Sequence, residues 1–193
     1  MAARSLLNIA NVLTGLRIVA IPLVVVLFFL PYEWSDVASG LLFAAAGITD
    51  GLDGYFARKY GQMTPLGAFL DPVADKLIVA VALVLIVSRD PQWWMTITAA
   101  VIIGREIAIS ALREWMAEIG ARRKVAVSSI GKYKTILQIV GLSMLLFRED
   151  ILFIPIYRLG ILLTVLAAVL TLWSMVVYLR SAWPDLTAHS DST

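Results

Sequence analysis

Residues 50–75 read DGLDGYFARKYGQMTPLGAFLDPVAD, and the chain on both sides of them is strongly apolar. Four carboxylates stand in this stretch: Asp50, Asp53, Asp71 and Asp75. Residues three or four positions apart share a helix face, so Asp50 pairs with Asp53 and Asp71 pairs with Asp75, each pair on one side of its helix. The connection from Lys59 to Thr64 is short and ends in Thr64-Pro65, a capping residue followed by one suited to the first helical position. The stretch predicts two antiparallel, neighbouring helices whose acid pairs lie near one end. Pro72, about two turns into the second helix, would free the carbonyl of Ala68 and offer a kink beside Asp71.

The rest of the chain sets the medium for that hairpin. Of 193 residues, 60% are hydrophobic and 16% charged, against about 45–50% and a quarter in ordinary soluble domains. This composition points to lipid and away from a soluble enzyme. A spanning helix takes about 20 apolar residues, and the apolar runs with their punctuation predict six: 12–31, 37–57, 66–88, 93–116, 133–148 and 159–179. A short helix over Met1–Asn11 is expected in the headgroup region before the first span. The expected architecture is an all-α integral membrane protein, with one six-helix catalytic domain over 1–182 and a polar, disordered tail over 183–193.

Charge then gives the orientation, since cytoplasmic loops collect Lys and Arg. Arg4, Arg58, Lys59, Arg122 to Lys124, Lys132, Lys134 and Arg180 fall on one side. Arg89, Arg148 and Arg158 fall on the other with Glu33, Asp36, Asp90, Glu149 and Asp150. The expectation is a multi-pass protein of the cytoplasmic membrane with both termini and the acid pairs on the cytoplasmic side. Nothing calls for nucleic acid as a partner. The chain has no Cys, so thiolate chemistry and Cys-based metal sites are absent, and its lone His189 lies in the polar tail.

A carboxylate in a membrane segment costs about 2.5–3.5 kcal/mol on insertion scales, so four of them within one hairpin ask for a reason. Converging without partners they would repel one another and take up protons, which predicts a cation among them. All-oxygen ligands select a hard divalent ion, Mg²⁺ or Mn²⁺. The competing reading has these acids in surface salt bridges with Arg58, Lys59 and Lys76. Gly54 and Gly67 fit a close helix approach or a ligand against backbone, and Arg58 adds a phosphate-sized fork. A carboxylate-held divalent ion facing phosphate oxygens suits phosphoryl transfer.

Written as a pattern, the stretch is Asp50-x2-Asp53-Gly54-x2-Ala57-Arg58-x8-Gly67-x3-Asp71-x3-Asp75, which resembles the motif of the CDP-alcohol phosphotransferase family at every fixed position. The resemblance implies a six-span, homodimeric membrane enzyme that takes a CDP-linked lipid, displaces CMP and joins the phosphatidyl group to an alcohol. It implies that Asp50, Asp53 and Asp71 hold the metal, and that Asp75 borders the metal and acts as general base. Gly54, Arg58, Thr64 and Gly67 would line the CDP-lipid site. Asn11, Thr14 and Arg17 resemble an amino-terminal motif, found in the members making phosphatidylglycerol phosphate, that approaches the nucleotide; Ala10 stands where many members carry Pro.

The acceptor is expected from two further segments similar to the same members, Gly104-Arg105-Glu106-Ile107 with Leu112-Arg113-Glu114-Trp115, and Gly131-Lys132-Tyr133-Lys134-Thr135. Arg105, Arg113, Lys132 and Lys134 make a cationic group suited to an acceptor with its own phosphate. The expected reaction is CDP-diacylglycerol plus glycerol 3-phosphate giving phosphatidylglycerol phosphate and CMP. Glu106 and Arg113, seven apart, share a face. Ser110 and Gln138 are expected in interhelical hydrogen bonds, and Trp93, Trp94, Trp173 and Trp183 as interfacial anchors or packing. Alternatives are another acceptor within the family (inositol phosphate or serine), a small cation transporter, or an intramembrane prenyltransferase. The transporter predicts repeated broken helices, and no second copy of the motif exists.

Overall fold

The structure, a computed structural model, describes the backbone of residues 9–60, 65–118 and 129–188, and side chains at 11–49, 67, 69–118, 134–180 and 183. Among the described residues there are six helices and no strand: α1 (Ile9–Phe29), α2 (Trp34–Tyr60), α3 (Pro65–Arg89), α4 (Trp93–Glu118), α5 (Ser129–Phe147) and α6 (Ile156–Ala188). The all-helical fold is as expected. Successive helices run in opposite directions, so the carboxyl end of α2 and the amino end of α3 lie at one end of the bundle. The amino end of α1, the carboxyl ends of α4 and α6 and the amino end of α5 lie there too.

Among the described residues three helices contain segments long and apolar enough to cross a membrane: Asn11–Phe29 in α1, Trp93–Glu118 in α4 and Ile156–Arg180 in α6. Charge explains why α3 differs from these. It carries Asp71, Asp75 and Lys76, and the described part of α5 that is apolar is Lys134–Phe147. Residues 1–8 lie outside the described ones, so the interfacial helix expected over 1–11 does too, except that residues 9–11 already belong to α1. The boundary expected at 182–183 falls inside α6, which runs on through Ala188.

The hairpin is antiparallel, and among the described residues each of its helices packs more on α1 than on the other. α1 packs on both, and α2 also rests on α5. The reason lies in α1, an apolar helix with two dissimilar faces. Val12, Leu16, Val19, Leu23 and Val26 are exposed, whereas Thr14, Arg17, Ala20, Val24 and Phe28 are buried. The core joins Val24 and Phe28 to Phe43 of α2, Leu83 and Ile86 of α3, Ile102 of α4 and Leu142, Leu145 and Leu146 of α5. A smaller cluster of Ile109, Met116 and Tyr178 ties α4 to α6 at the acid-bearing end.

Glycines let α5 sit close to its neighbours. A Cβ on Gly40 would lie 2.7 Å from the backbone of Phe147, and one on Gly141 would lie 2.6 Å from Thr164 Oγ1 and 2.9 Å from its amide nitrogen. At the opposite end of the bundle, Arg89 ion-pairs with Asp36 and donates to the Phe28 carbonyl at 2.9 Å. The Tyr157 hydroxyl donates to Asp90 there, and the Arg148 guanidinium lies 5.1 Å from the Tyr157 ring centre. These contacts fasten α1, α2, α3 and α6 at the end away from the acids.

Candidate active site

At the acid-bearing end α1 and α3 meet through their polar side chains. Thr14 and Arg17 are three positions apart and face α3, where Asp71 and Asp75 are four apart. The Thr14 hydroxyl donates to Asp71 Oδ1, and the Arg17 guanidinium pairs with Asp75 Oδ1. Arg17 is 1% exposed. An arginine so deep in an apolar bundle is costly unless a carboxylate meets it, and Asp75 does. Asp75 thus has the protein's own guanidinium as counter-charge, and Asp71 has a hydroxyl donor.

Other residues of the motif fall partly or wholly outside the described ones. Asp50, Asp53, Gly54 and Arg58 lie on the last three turns of α2 by backbone, with Asp50 and Asp53 on one face, but their side chains lie outside the described residues. Thr64 lies wholly outside, though α3 begins at Pro65 as the sequence predicts. Gly67 is buried in the first turn of α3, and Asn11 is half-buried near the start of α1. Among the described residues no three carboxylates or imidazoles converge; the donor set to which Asp71 and Asp75 belong is nevertheless all oxygen, which fits a hard divalent ion.

Beside Asp75 opens a cavity of about 260 Å³. It brings together Arg17, Asp75, Arg105, Arg113 and Lys134, which the sequence separates by more than a hundred positions. The side chain of Lys132, the fourth cation expected here, lies outside the described residues. Arg105 and Lys134 are each 6% exposed. Arg105 continues the buried stripe Met95, Thr98, Ala99, Ile102 and Ile109 of α4, so a helix face built for packing carries a guanidinium at its centre. Its Nη1 donates to Glu106 at 3.0 Å and its Nη2 to Ser174 Oγ at 3.1 Å. Arg113 lies with its guanidinium 5.6 Å from the Tyr178 ring centre. Counting Lys76, five cationic side chains and two carboxylates line this space. Its charge favours a small anion.

Sequence reasoning missed part of the lining. Lys76, Thr135, Gln138 and Tyr178 all face the cavity; the sequence places Lys76 among salt-bridge partners of the acids, Thr135 in the segment after Lys134 and Gln138 in an interhelical bond, and gives Tyr178 no role. Helical spacing offered a signal for two of them: Lys76 follows Asp75, and Gln138 lies one turn beyond Lys134. Tyr178 sits in a largely apolar run, where Thr171 and Ser174 at helical spacing are the polar signal that points to its face. Glu106 and Arg113 do share the cavity face, but Glu106 bonds to Arg105 instead. Ser110 does not bridge helices; its hydroxyl donates to the Glu106 carbonyl at 2.7 Å within α4, the usual recourse of a serine in a helix interior. Trp93, Trp173 and Trp183 are exposed, while Trp94 packs half-buried against the core.

A carboxylate with a fixed partner, next to an enclosed cationic space, can accept a proton from a hydroxyl while cations hold an anionic group of the same molecule. Comparison with known proteins agrees with that capacity. Residues 7–179 match the family described as CDP-alcohol phosphatidyltransferase. A CDP-diacylglycerol–glycerol-3-phosphate 3-phosphatidyltransferase of Salmonella choleraesuis (strain SC-B67) is 53% identical over 179 residues, 93% of this chain and 97% of the relative. Proteins of the same name from Shigella flexneri and Escherichia coli (strain K12) are 52% identical over the same shares.

Proposed function

Since the chain belongs to the CDP-alcohol phosphatidyltransferase family, we propose that it transfers the phosphatidyl group of CDP-diacylglycerol to sn-glycerol 3-phosphate, giving phosphatidylglycerol phosphate and CMP. The observation that carries the choice of acceptor is the cavity beside Asp75, whose Arg105, Arg113 and Lys134 suit an alcohol that brings its own phosphate. An uncharged alcohol offers no charge to these cations, of which Arg105 and Lys134 are buried.

In the reaction Asp75 takes the proton of the acceptor's primary hydroxyl, the oxygen attacks the phosphatidyl phosphorus, and the bond from that phosphorus to the CMP oxygen breaks. Arg17 holds the Asp75 carboxylate at the cavity wall, so the base is presented to the hydroxyl without a search through rotamers. Arg105, Arg113 and Lys134 orient the acceptor by its phosphate, leaving the far hydroxyl toward Asp75. Asp50, Asp53 and Asp71, with Asp75 at the border, would hold Mg²⁺ or Mn²⁺, which supplies neutralisation of pyrophosphate charge. Gly54, Arg58, Thr64 and Gly67, with Asn11, Thr14 and Arg17, would receive the CDP-lipid. For Arg17 the pairing with Asp75 favours a place between the two substrates.

The same proposal has six spanning helices in the cytoplasmic membrane, the site on the cytoplasmic side and two copies in the working enzyme. The deciding experiment incubates purified protein with CDP-diacylglycerol, Mn²⁺ and separate acceptors. CMP release with glycerol 3-phosphate is expected; release with serine or inositol phosphate but not with glycerol 3-phosphate overturns the assignment.

A further inference from the structure

The arginines on α4 do not hold themselves in place. Arg105 reaches Ser174 on α6 at 3.1 Å, a hydrogen bond between two buried side chains, and Ser174 in turn donates to the Thr171 carbonyl at 2.8 Å, which fixes its hydroxyl. One turn further along α6, the Tyr178 ring lies 5.6 Å from the Arg113 guanidinium and is 6% exposed. Both arginines keep a buried Nε–H with no acceptor among the described residues. Buried donors left over after the protein's own contacts are the groups an anion's oxygens satisfy.

From this geometry we infer that Ser174 and Tyr178 are positioning residues. They form a two-residue brace on α6 that turns Arg105 and Arg113 toward the cavity and so sets the preference for a phosphorylated acceptor. The inference rests on the acceptor reading above and adds to it a helix that carries none of the family motif. The two contacts divide the work. Ser174 accepts from one edge of Arg105 while Glu106 accepts from another, which fixes the plane of that guanidinium. The Tyr178 face supports Arg113 through its ring quadrupole and excludes water from one side.

The test uses the full-length enzyme in detergent, with CDP-diacylglycerol, Mn²⁺ and glycerol 3-phosphate, and with inorganic phosphate as a competitor. Ser174→Ala and Tyr178→Leu are expected to raise the KM for glycerol 3-phosphate about ten-fold, the size of a lost contact to a buried charge. Inhibition by inorganic phosphate is expected to weaken in parallel, while the KM for CDP-diacylglycerol keeps its wild-type value. Ser174→Thr and Tyr178→Phe, which keep the hydroxyl and the ring, are expected to restore the wild-type ratio of the two KM values. A merely structural role would lower the amount of active enzyme and leave both KM values where they were, and that result overturns the inference. So does an equal rise in both. Tyr178 also packs between α4 and α6, so if Tyr178→Leu fails to fold, the smaller Ser174→Ala decides. A wild-type protein that ignores glycerol 3-phosphate overturns the acceptor reading itself, an outcome visible before any variant is made.

Discussion

Thr14 and Asp71 allow the hydrogen bond and the charge of one carboxylate to be separated. The Thr14 hydroxyl donates to Asp71, and Asn at position 71 keeps an oxygen for that hydroxyl while losing the charge. Asp71→Asn is therefore expected to fold normally, with unchanged thermal stability, yet to lose CMP release by more than about 100-fold, beyond the cost of disturbing a metal's outer partners. Thr14→Val removes only the donor, and its expected loss is about ten-fold, the size of one hydrogen bond to a charged group. Activity that survives Asp71→Asn intact, or a Thr14→Val enzyme weaker than Asp71→Asn, reverses that ranking and the roles with it. Residues of this kind were legible in the sequence because carboxylates and arginines are expensive in lipid. Asp71 and Asp75 stood out for that reason, while Arg17, Arg105 and Lys134 drew notice through segments that resemble the family. The pairing of Arg17 with Asp75 was not legible, since residues 58 positions apart are matched only by packing. Tyr178 escaped notice because an aromatic in an apolar run costs nothing there.

Helix packing shows a different limit. Periodicity and punctuation gave the number of helices and most of their bounds, with α3 starting at Pro65 as its Thr-Pro step indicates. They did not give the other neighbours: the short 61–64 connection implied that α2 lies beside α3, whereas the larger described contacts, of α1 with both and of α5 with α2, had no signal in the sequence. Small residues decide those approaches. A Cβ at Gly40 meets the Phe147 backbone at 2.7 Å, and backbone cannot step aside as a side-chain tip can. At Gly104, by contrast, a Cβ meets nothing within 4 Å. Gly40→Ala is expected to destabilise the bundle by about 1–3 kcal/mol through overpacking. Gly104→Ala is expected to be neutral or to stabilise by up to about 1 kcal/mol through helix propensity. Thermal unfolding of the two variants in one detergent checks the pair, and equal melting temperatures would mean that α5 does not press on α2 as described.

At the scale of the molecule, three helices suffice, over their described residues, by their own apolarity to cross a membrane, while the bundle packs six side by side. α2 with 27 residues and α3 with 25 match α4 with 26, about 40 Å of helix each, so on the six-span proposal antiparallel packing along their length carries them through the same slab. Their charges do not prevent this, because the two acids of α3 meet partners on α1 and the two of α2 lie near its end. On the six-span proposal, the more charged helices are thus held across by the more apolar ones. Six crossings and three crossings place the chain differently, and the protein has no Cys, so one introduced thiol reports unambiguously. Phe153 is wholly exposed in the turn after α5, and Trp183 is 64% exposed near the opposite end of the bundle. With six crossings and the basic loops in the cytoplasm, Phe153→Cys reacts with a membrane-impermeant maleimide on intact spheroplasts, and Trp183→Cys reacts only after permeabilisation. If only α1, α4 and α6 crossed from a cytoplasmic amino terminus, position 153 would be protected and position 183 labelled. That reversed pattern would refute the orientation proposed for the site, and labelling of both positions from outside would refute an antiparallel bundle that spans the bilayer.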